Sequence, residues 1–294
     1  MKRYRKYTLS LLCVLCASQT LLAWDDIYDY ENEGEDFLEE TVDHYRYEPL
    51  RISHTEAKGI GYKEGYTTLE AFLTYPNLVH HHWVPFLDLR SHVFNDGKYD
   101  SNAGLGLRYL DARVWGLNVF YDYRSTHHAN YNQVGVGIES LGCEWDFRLN
   151  SYFPMGRKKS HLFAMKGLDA EVGTTVTNFN DLSIYTATGP YYFENEGKHA
   201  VGGKARASVR CLECLLLELS GSYDHIFKGI VQGKVSLNIP IGPLNSIRGD
   251  RPCYNVDTLT LRKKTMQRVE RQEIIVIDSK TNKSPAIAPL TDNP

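Results

Sequence analysis

The chain has 294 residues, a formal net charge of −3, 20 tyrosines and 23 glycines. A near-neutral balance argues against a nucleic-acid partner. Beyond the N-terminal segment no apolar run reaches the 18 residues of a helical membrane span.

The N-terminus reads as a secretory signal peptide over 1–23. Lys2, Arg3, Arg5 and Lys6 form a basic start, Thr8 to Leu22 an apolar core, and Ala23 a cleavage point. Leu15 stands before Cys16 where a lipoprotein needs a small residue, so lipidation is not expected. Residues 24–51 form an acidic, solvated lead-in. Within it, 24–48 carry eleven acids against one base, Arg46.

From 52 to 240 the pattern changes to alternation. Trp115, Leu117, Val119 and Tyr121 fall on one face of an extended chain, and Gly116, Asn118 and Asp122 on the other. The same holds for Val134, Val136 and Ile138 against Gln133, Gly135 and Gly137. It recurs for Trp145, Phe147 and Leu149 against Asp146, Arg148 and Asn150. Candidate strands are 66–74, 82–93, 100–110, 113–124, 132–140, 143–153, 168–176, 182–193, 200–210, 213–224 and 230–240. A strand of about ten residues, rising roughly 3.3 Å each and tilted about 40°, crosses the apolar slab of a bilayer.

A soluble sandwich would alternate too, but its water-facing side would be rich in Lys. Here that side is rich in Gly. Aromatic residues stand near strand ends on the apolar side: Trp83, Tyr109, Trp115, Tyr121, Tyr123, Trp145, Phe153, Tyr191, Tyr192 and Tyr223. That distribution fits interfacial girdles. The fold class is therefore all-β, a closed antiparallel transmembrane barrel with short irregular extensions at both ends.

Connections near 111–112, 141–142, 177–181 and 211–212 are short, and those near 94–99, 125–131, 154–167, 194–199 and 225–229 longer. They alternate, as inner turns and outer loops do. Parity then demands one more strand within 52–63, giving twelve, with both ends of the barrel on the periplasmic side. Closure pairs every backbone group in lipid.

Asp88-Leu-Arg90, Asp122-Tyr-Arg124 and Asp146-Phe-Arg148 repeat a D-x-R spacing. Residues two apart share a strand face, so each pair points into the lumen, with Glu139 and Glu171 on the same face. They either neutralise one another or grip a polypeptide or ion. Gly104, Gly106, Gly116, Gly135, Gly137 and Gly173 also point inward. They either relieve curvature or clear a path for a chain along the wall.

Cys143, Cys211, Cys214 and Cys253 remain after cleavage in an oxidising compartment. Cys211 and Cys214 have C-x-x-C spacing without a second such pair, which favours disulfides or intermolecular cross-links over a metal site and leaves unpaired thiols open. His80-His81-His82 and His127-His128 read as solvated loop residues. Neither Asp88 with His92 nor Asp224 with His225 completes a catalytic set, so no enzyme and no cofactor are expected.

After 240 a basic stretch (Arg248, Arg251, Arg262, Lys263, Lys264) leads to Arg268-Val-Glu-Arg271 and Ile274-Ile-Val-Ile277. This second run is too apolar for a solvated tail, and a segment threading the barrel would shield it. A polar tail, 279–294, follows.

Taken together, residues 104–123, Gly135 to Glu139, Trp145 to Phe153 and Leu168 to Gly173 resemble the translocator barrel of the intimin/invasin family, the inverse autotransporters. Arg268 to Arg271 and Ile274 to Ile277 resemble the segment that follows the barrel there. The resemblance implies twelve strands in the outer membrane of a Gram-negative bacterium, inserted by the barrel-assembly machinery and surrounded by outer-membrane lipid. It also implies a linker through the pore over 241–278, including Arg268, Arg271, Ile274 and Ile275, and a surface-displayed passenger, usually an adhesin. About 16 residues follow Asp278, so little or no passenger is expected. Contact with a host or surface ligand then falls to outer loops, chiefly 154–167 with Arg157, Lys158, Lys159 and His161, or to the tail. A pore and a disulfide-cross-linked structural barrel are the alternatives.

Overall fold

The computed structural model describes residues 43–45, 48–74, 82–127, 129–156, 162–179, 182–195, 197–211, 214–240, 245–247 and 261–279. The stretch read as a signal peptide, Cys253 and the tail beyond 279 lie outside them.

Twelve antiparallel strands close into a barrel. They are β1 (Leu50–Glu56), β2 (Tyr66–Thr74), β3 (Trp83–Phe94), β4 (Tyr99–Leu110), β5 (Val114–Ser125) and β6 (Asn130–Leu141), followed by β7 (Trp145–Met155), β8 (Lys166–Phe179), β9 (Leu182–Asn195), β10 (Lys198–Cys211), β11 (Leu215–Asp224) and β12 (Ile230–Ile239). Neighbours in sequence pair throughout. The barrel closes where β12 meets β1, with Ile239 opposite Leu50 and Gly233 opposite Glu56. No edge is left for another chain to extend. Leu50 and Ile239 mark one end of the barrel, called here the inner end.

The extensions are less irregular than their composition suggests. Asp43–Tyr45 pairs with Asn245–Ile247, continuing the β12–β1 seam beyond the barrel. Ile277–Ser279 pairs with Leu162–Ala164, which lies between β7 and β8.

The two faces of the wall invert the arrangement of a water-soluble protein. Leu105 is 66% exposed and Trp115 53%, whereas Arg108 and Asp122 are 0% exposed. A continuous exposed apolar belt of this kind has lipid as its solvent. Trp83, Trp115 and Trp145, all exposed, ring the inner end, with Tyr109 against Trp83 at 4.7 Å between ring centroids. Tyr121, Phe153, Tyr192 and Tyr223 ring the outer end. Tyr191 does not belong to this girdle: it is 2% exposed, and its hydroxyl donates to Asp224 in the interior. In the pair Tyr191-Tyr192 only one ring can face lipid, and strand pairing gives that side to Tyr192.

The strands run further at the outer end than their alternation suggests. The β9–β10 connection, expected over 194–199, shrinks to 196–197, with Gly197 at φ +85 supplying the left-handed residue of the tight turn. The broader outer connections are 57–65, which follows β1, and the one between β7 and β8.

Among the described residues no disulfide joins Cys143, Cys211 and Cys214. Cys211 ends β10 and Cys214 precedes β11. Cys143 instead packs against Leu110, Val114, Leu141 and Leu261.

Candidate functional site

The barrel interior is occupied by the chain's own residues 261–279. Residues 261–265 form one helical turn at the inner end, and the rest rises without regular structure to Ile277. Each interior apolar cluster is completed by this segment. Leu261 packs with Leu110, Val114 and Leu141. Val269 packs with Phe72, Phe86 and Phe120. Ile274 packs with Tyr62, Tyr66 and Phe94, and Ile275 with Tyr131. Burying each such side chain contributes about 1.5–3 kcal/mol.

Between these apolar steps the contacts are ionic. At the inner end Lys264 donates to Asp146 at 2.6 Å and to the Gly142 carbonyl at 2.5 Å. Arg268 meets Glu70 at 3.0 Å. Arg271 makes a two-pronged pair with Asp122, at 2.6 and 2.7 Å, and its guanidinium lies 4.3 Å from the Phe120 ring centre. Glu273 accepts from Arg90 at 2.9 Å. Higher up, Lys234 approaches the same carboxylate at 3.6 Å. Buried pairs of this geometry carry a large penalty when one partner is removed.

The wall also holds the segment by its main chain. Arg108 donates to the carbonyls of Thr265 and Gln267, Arg90 to Val269, Asn150 to Glu270, Asn102 to Glu273, and Arg124 to Ile275. The Tyr152 hydroxyl accepts from the Gln272 N–H at 2.7 Å, and the Val276 carbonyl accepts from the Met165 N–H at 2.9 Å.

All seven carboxylates and guanidiniums singled out from the sequence (Asp88, Arg90, Asp122, Glu139, Asp146, Arg148 and Glu171) lie in the interior. They divide into two groups. Arg90, Asp122 and Asp146 touch the threaded segment. Glu139 pairs with Arg108 at 2.9 Å, and Arg148 with Glu171 at 3.2 Å, so these neutralise the wall. Asp88 fixes Arg90 at 2.6 Å.

The inward glycines also divide. A Cβ on Gly135 would stand 2.4 Å from Arg271, so Gly135 makes room for the segment. Gly104 and Gly106 instead admit the rings of Phe120 and Phe86. Gly116 faces Glu139, and Gly137 faces Asn118 and Asn150. Gly173 faces Tyr185.

Sequence reasoning passed over Glu70, Asn102 and Arg108. Arg108 was findable, because it shares its face with Gly104 and Gly106 on β4. His92 bridges Thr68 and Asn102 through its two ring nitrogens, and Asp224 accepts from the N–H groups of Ile226 and Phe227. Both are structural roles. His82 donates to the Leu110 carbonyl at 2.7 Å.

At the outer end the loop after β1 folds over the segment. The Arg124 guanidinium bridges the carbonyls of Gly61 and Ile275. Burial pushes the Tyr62 phenol up, and the neutral hydroxyl accepts from Gln232 at 2.9 Å. Gly61 has φ +80, and a Cβ there would meet the Ile277 nitrogen at 2.7 Å and the Val276 Cα at 2.8 Å. Both terms oppose a side chain, the backbone term alone costing of order 1–3 kcal/mol. Gly61→Val is therefore expected to release the outer end of the segment. Limited proteolysis at 274–279 would read this as faster cleavage with the barrel intact. Unchanged protection would mean that the loop does not hold the segment.

A barrel threaded by the residues that follow its last strand is a specific arrangement, and the sequence match agrees with it. The family described as “Inverse autotransporter, beta-domain” matches residues 29–200. This chain belongs to that family. An inverse autotransporter β-domain is an outer-membrane barrel, in keeping with the lipid-facing belt. No curated protein matches the sequence. A solved chain described as “Unveiling the Mechanism Behind the in-meso Crystallization of Membrane Proteins” aligns over 79% of this chain and 99% of its own, at 14% identity and a TM-score of 0.53. At that identity it bears on the fold alone. A chain described as “KdgM porin” aligns over 65% of this chain and 98% of its own, at 9% identity and a TM-score of 0.46.

Proposed function

We propose that this outer-membrane barrel is a non-enzymatic translocator that presents its C-terminal residues at the cell surface, where they and the outer loops serve adhesion to a host or another surface. One observation carries the reading. Residues 261–279 begin against the inner-end turns, at Leu261 beside Leu141, and end beyond the outer rim, where Ile277–Ser279 pairs with Leu162–Ala164. A segment so placed spans the membrane inside the barrel, and whatever follows it starts outside. The reading includes export by cleavage of 1–23, an acidic periplasmic lead-in over 24–51, and insertion by the barrel-assembly machinery.

The test is an epitope tag after Pro294, probed with antibody on intact cells and again after permeabilisation, with outer-membrane integrity controlled. Labelling of intact cells is the expected result. Labelling only after permeabilisation would put the tail in the periplasm and leave the pore or the structural barrel as the function.

A further inference from the structure

The lipid-facing wall is not uniform. Over β2–β7 its outward side chains are large: Leu69, Leu89, Leu105, Leu117, Phe147 and Phe153 are all exposed. Within β8–β12 a patch of small ones, Thr174, Thr186, Thr188, Ala205, Ala207 and Gly221, lies among larger exposed neighbours such as Leu168, Val201, Leu217 and Val231. The wall there sinks into a groove of about 630 Å³, rimmed by Trp145, Leu219 and Val231. In a bilayer such a groove does not stay empty, because unfilled contact forfeits dispersion energy.

Directly above it, on the same strands and facing outward, lies a polar cluster. Lys166 stands opposite Glu194, and Glu194 opposite His199, in the register of β8, β9 and β10. The His199 ring lies 6.2 Å from that of His225, just past the end of β11. Lys166 pairs with Glu194 at 2.5 Å, and Tyr192 donates to the same carboxylate. Lys198 begins β10, and Lys228 lies exposed in the connection after β11. Lys198, next to the outward His199, falls on the inward side, so among the described residues Lys166, Lys228, His199 and His225 share this rim with the Glu194 carboxylate. Elsewhere on the described outer rim, His54 pairs with Glu56 and Lys98 with Asp96.

The cluster sits one step beyond Tyr192 and Tyr223 of the outer girdle, at headgroup depth. From His199 down to Ala205 is six residues of β10, about 20 Å of strand and about 15 Å of depth at a 40° tilt. That matches half the hydrocarbon core, or one leaflet.

We propose that the outer face of β8–β12 is a binding site for a phosphorylated lipid of the outer leaflet. Its acyl chain lies in the groove beside Ala205 and Gly221. Its phosphate sits against Lys166, His199, His225 and Lys228. Lysines at this depth attract anionic headgroups by about 1 kcal/mol each, and imidazole N–H groups can donate to the phosphate. The inference rests on the outer-membrane barrel alone and stands whether or not the C-terminal tail reaches the surface.

The test uses the full chain purified in neutral detergent, with retained lipid counted by native mass spectrometry. The probes are a diphosphorylated lipid A and the same lipid without phosphates. The wild type is expected to hold the phosphorylated form roughly tenfold more tightly. The triple variant Lys166→Ala, His199→Ala, His225→Ala, all at exposed positions, should remove that preference and leave the dephosphorylated lipid unaffected. Ala205→Phe should weaken both lipids, whereas Ala103→Phe, on the lipid face of β4, should weaken neither. Equal retention of the two lipids by the wild type, or a preference that survives the triple variant, would overturn the proposal. So would masses of paired barrels that vanish with Ala205→Phe, since a second copy would then fill the groove.

Discussion

Deleting residues 261–279 is expected to turn a poorly conducting barrel into an open channel. The segment fills the middle of the lumen and leaves a cavity of about 140 Å³ beside the wall of β10–β12, where Ser220, Gln232 and Lys234 face Gln272. Much of the wall's own pairing does not depend on the segment. Asp88 with Arg90, Arg108 with Glu139, and Glu171 with Arg148 and Arg206 persist without it. Wall groups that lose a partner, such as Asp122 and Asn150, can be satisfied by the water that enters. Single-channel recording in planar bilayers reads the result as a several-fold rise in conductance, with heat-modifiable migration on gels confirming the closed barrel. Equal conductance with and without the segment would mean that ions already pass freely, and the pore reading would replace the plugged translocator.

The second large effect is expected at Asp122. Arg271 is held there by both carboxylate oxygens, and its side chain is only 2% exposed. Asp122→Ala strands a buried guanidinium, at a cost of about 3–5 kcal/mol. The segment, rather than the barrel, should yield first, because its other contacts can be exchanged for water while the strand ladder cannot. The measurement is the denaturant concentration at which 261–279 becomes protease-sensitive, compared for Asp122→Ala, Arg271→Ala and the double variant. Strong non-additivity is the expected outcome. Additive losses would mean that the pair does not act as a unit. Asn102 and Gln133 also donate to Asp122, so Asp122→Asn should cost less than Asp122→Ala.

The strands were readable because lipid imposes a strict two-residue period on both faces of a wall one residue thick. Trp115 to Tyr121 shows this at its clearest. Loop parity then counted the strands, since both ends of the barrel must lie on one side. The limits of this reading have local causes. Alternation says that only one of two adjacent residues faces lipid but not which, so Tyr191 and Tyr192 looked equivalent although one turns inward to Asp224. A turn closed by a single left-handed glycine, Gly197, leaves less trace in composition than a polar loop. The ionic partners across the lumen join residues such as Arg271 and Asp122, which are 149 apart, and no local pattern encodes that separation. Arg268 and Arg271 stood out because an apolar run beside them needed shelter. Glu70 and Arg108, which also hold the segment, sit in strands whose alternation already seemed explained.

The wall's grip on main-chain carbonyls has a consequence for how the segment can vary. Thr265, Gln267, Val269, Glu270, Glu273 and Ile275 are each held through an atom that every amino acid possesses. At those positions the lumen measures length rather than composition. Substitution leaves each carbonyl in place, whereas inserting or removing one residue moves every later carbonyl off its donor at once. Between Lys264 and Ile277 the barrel therefore works as a ruler, tolerant of drift in side chains and intolerant of drift in count.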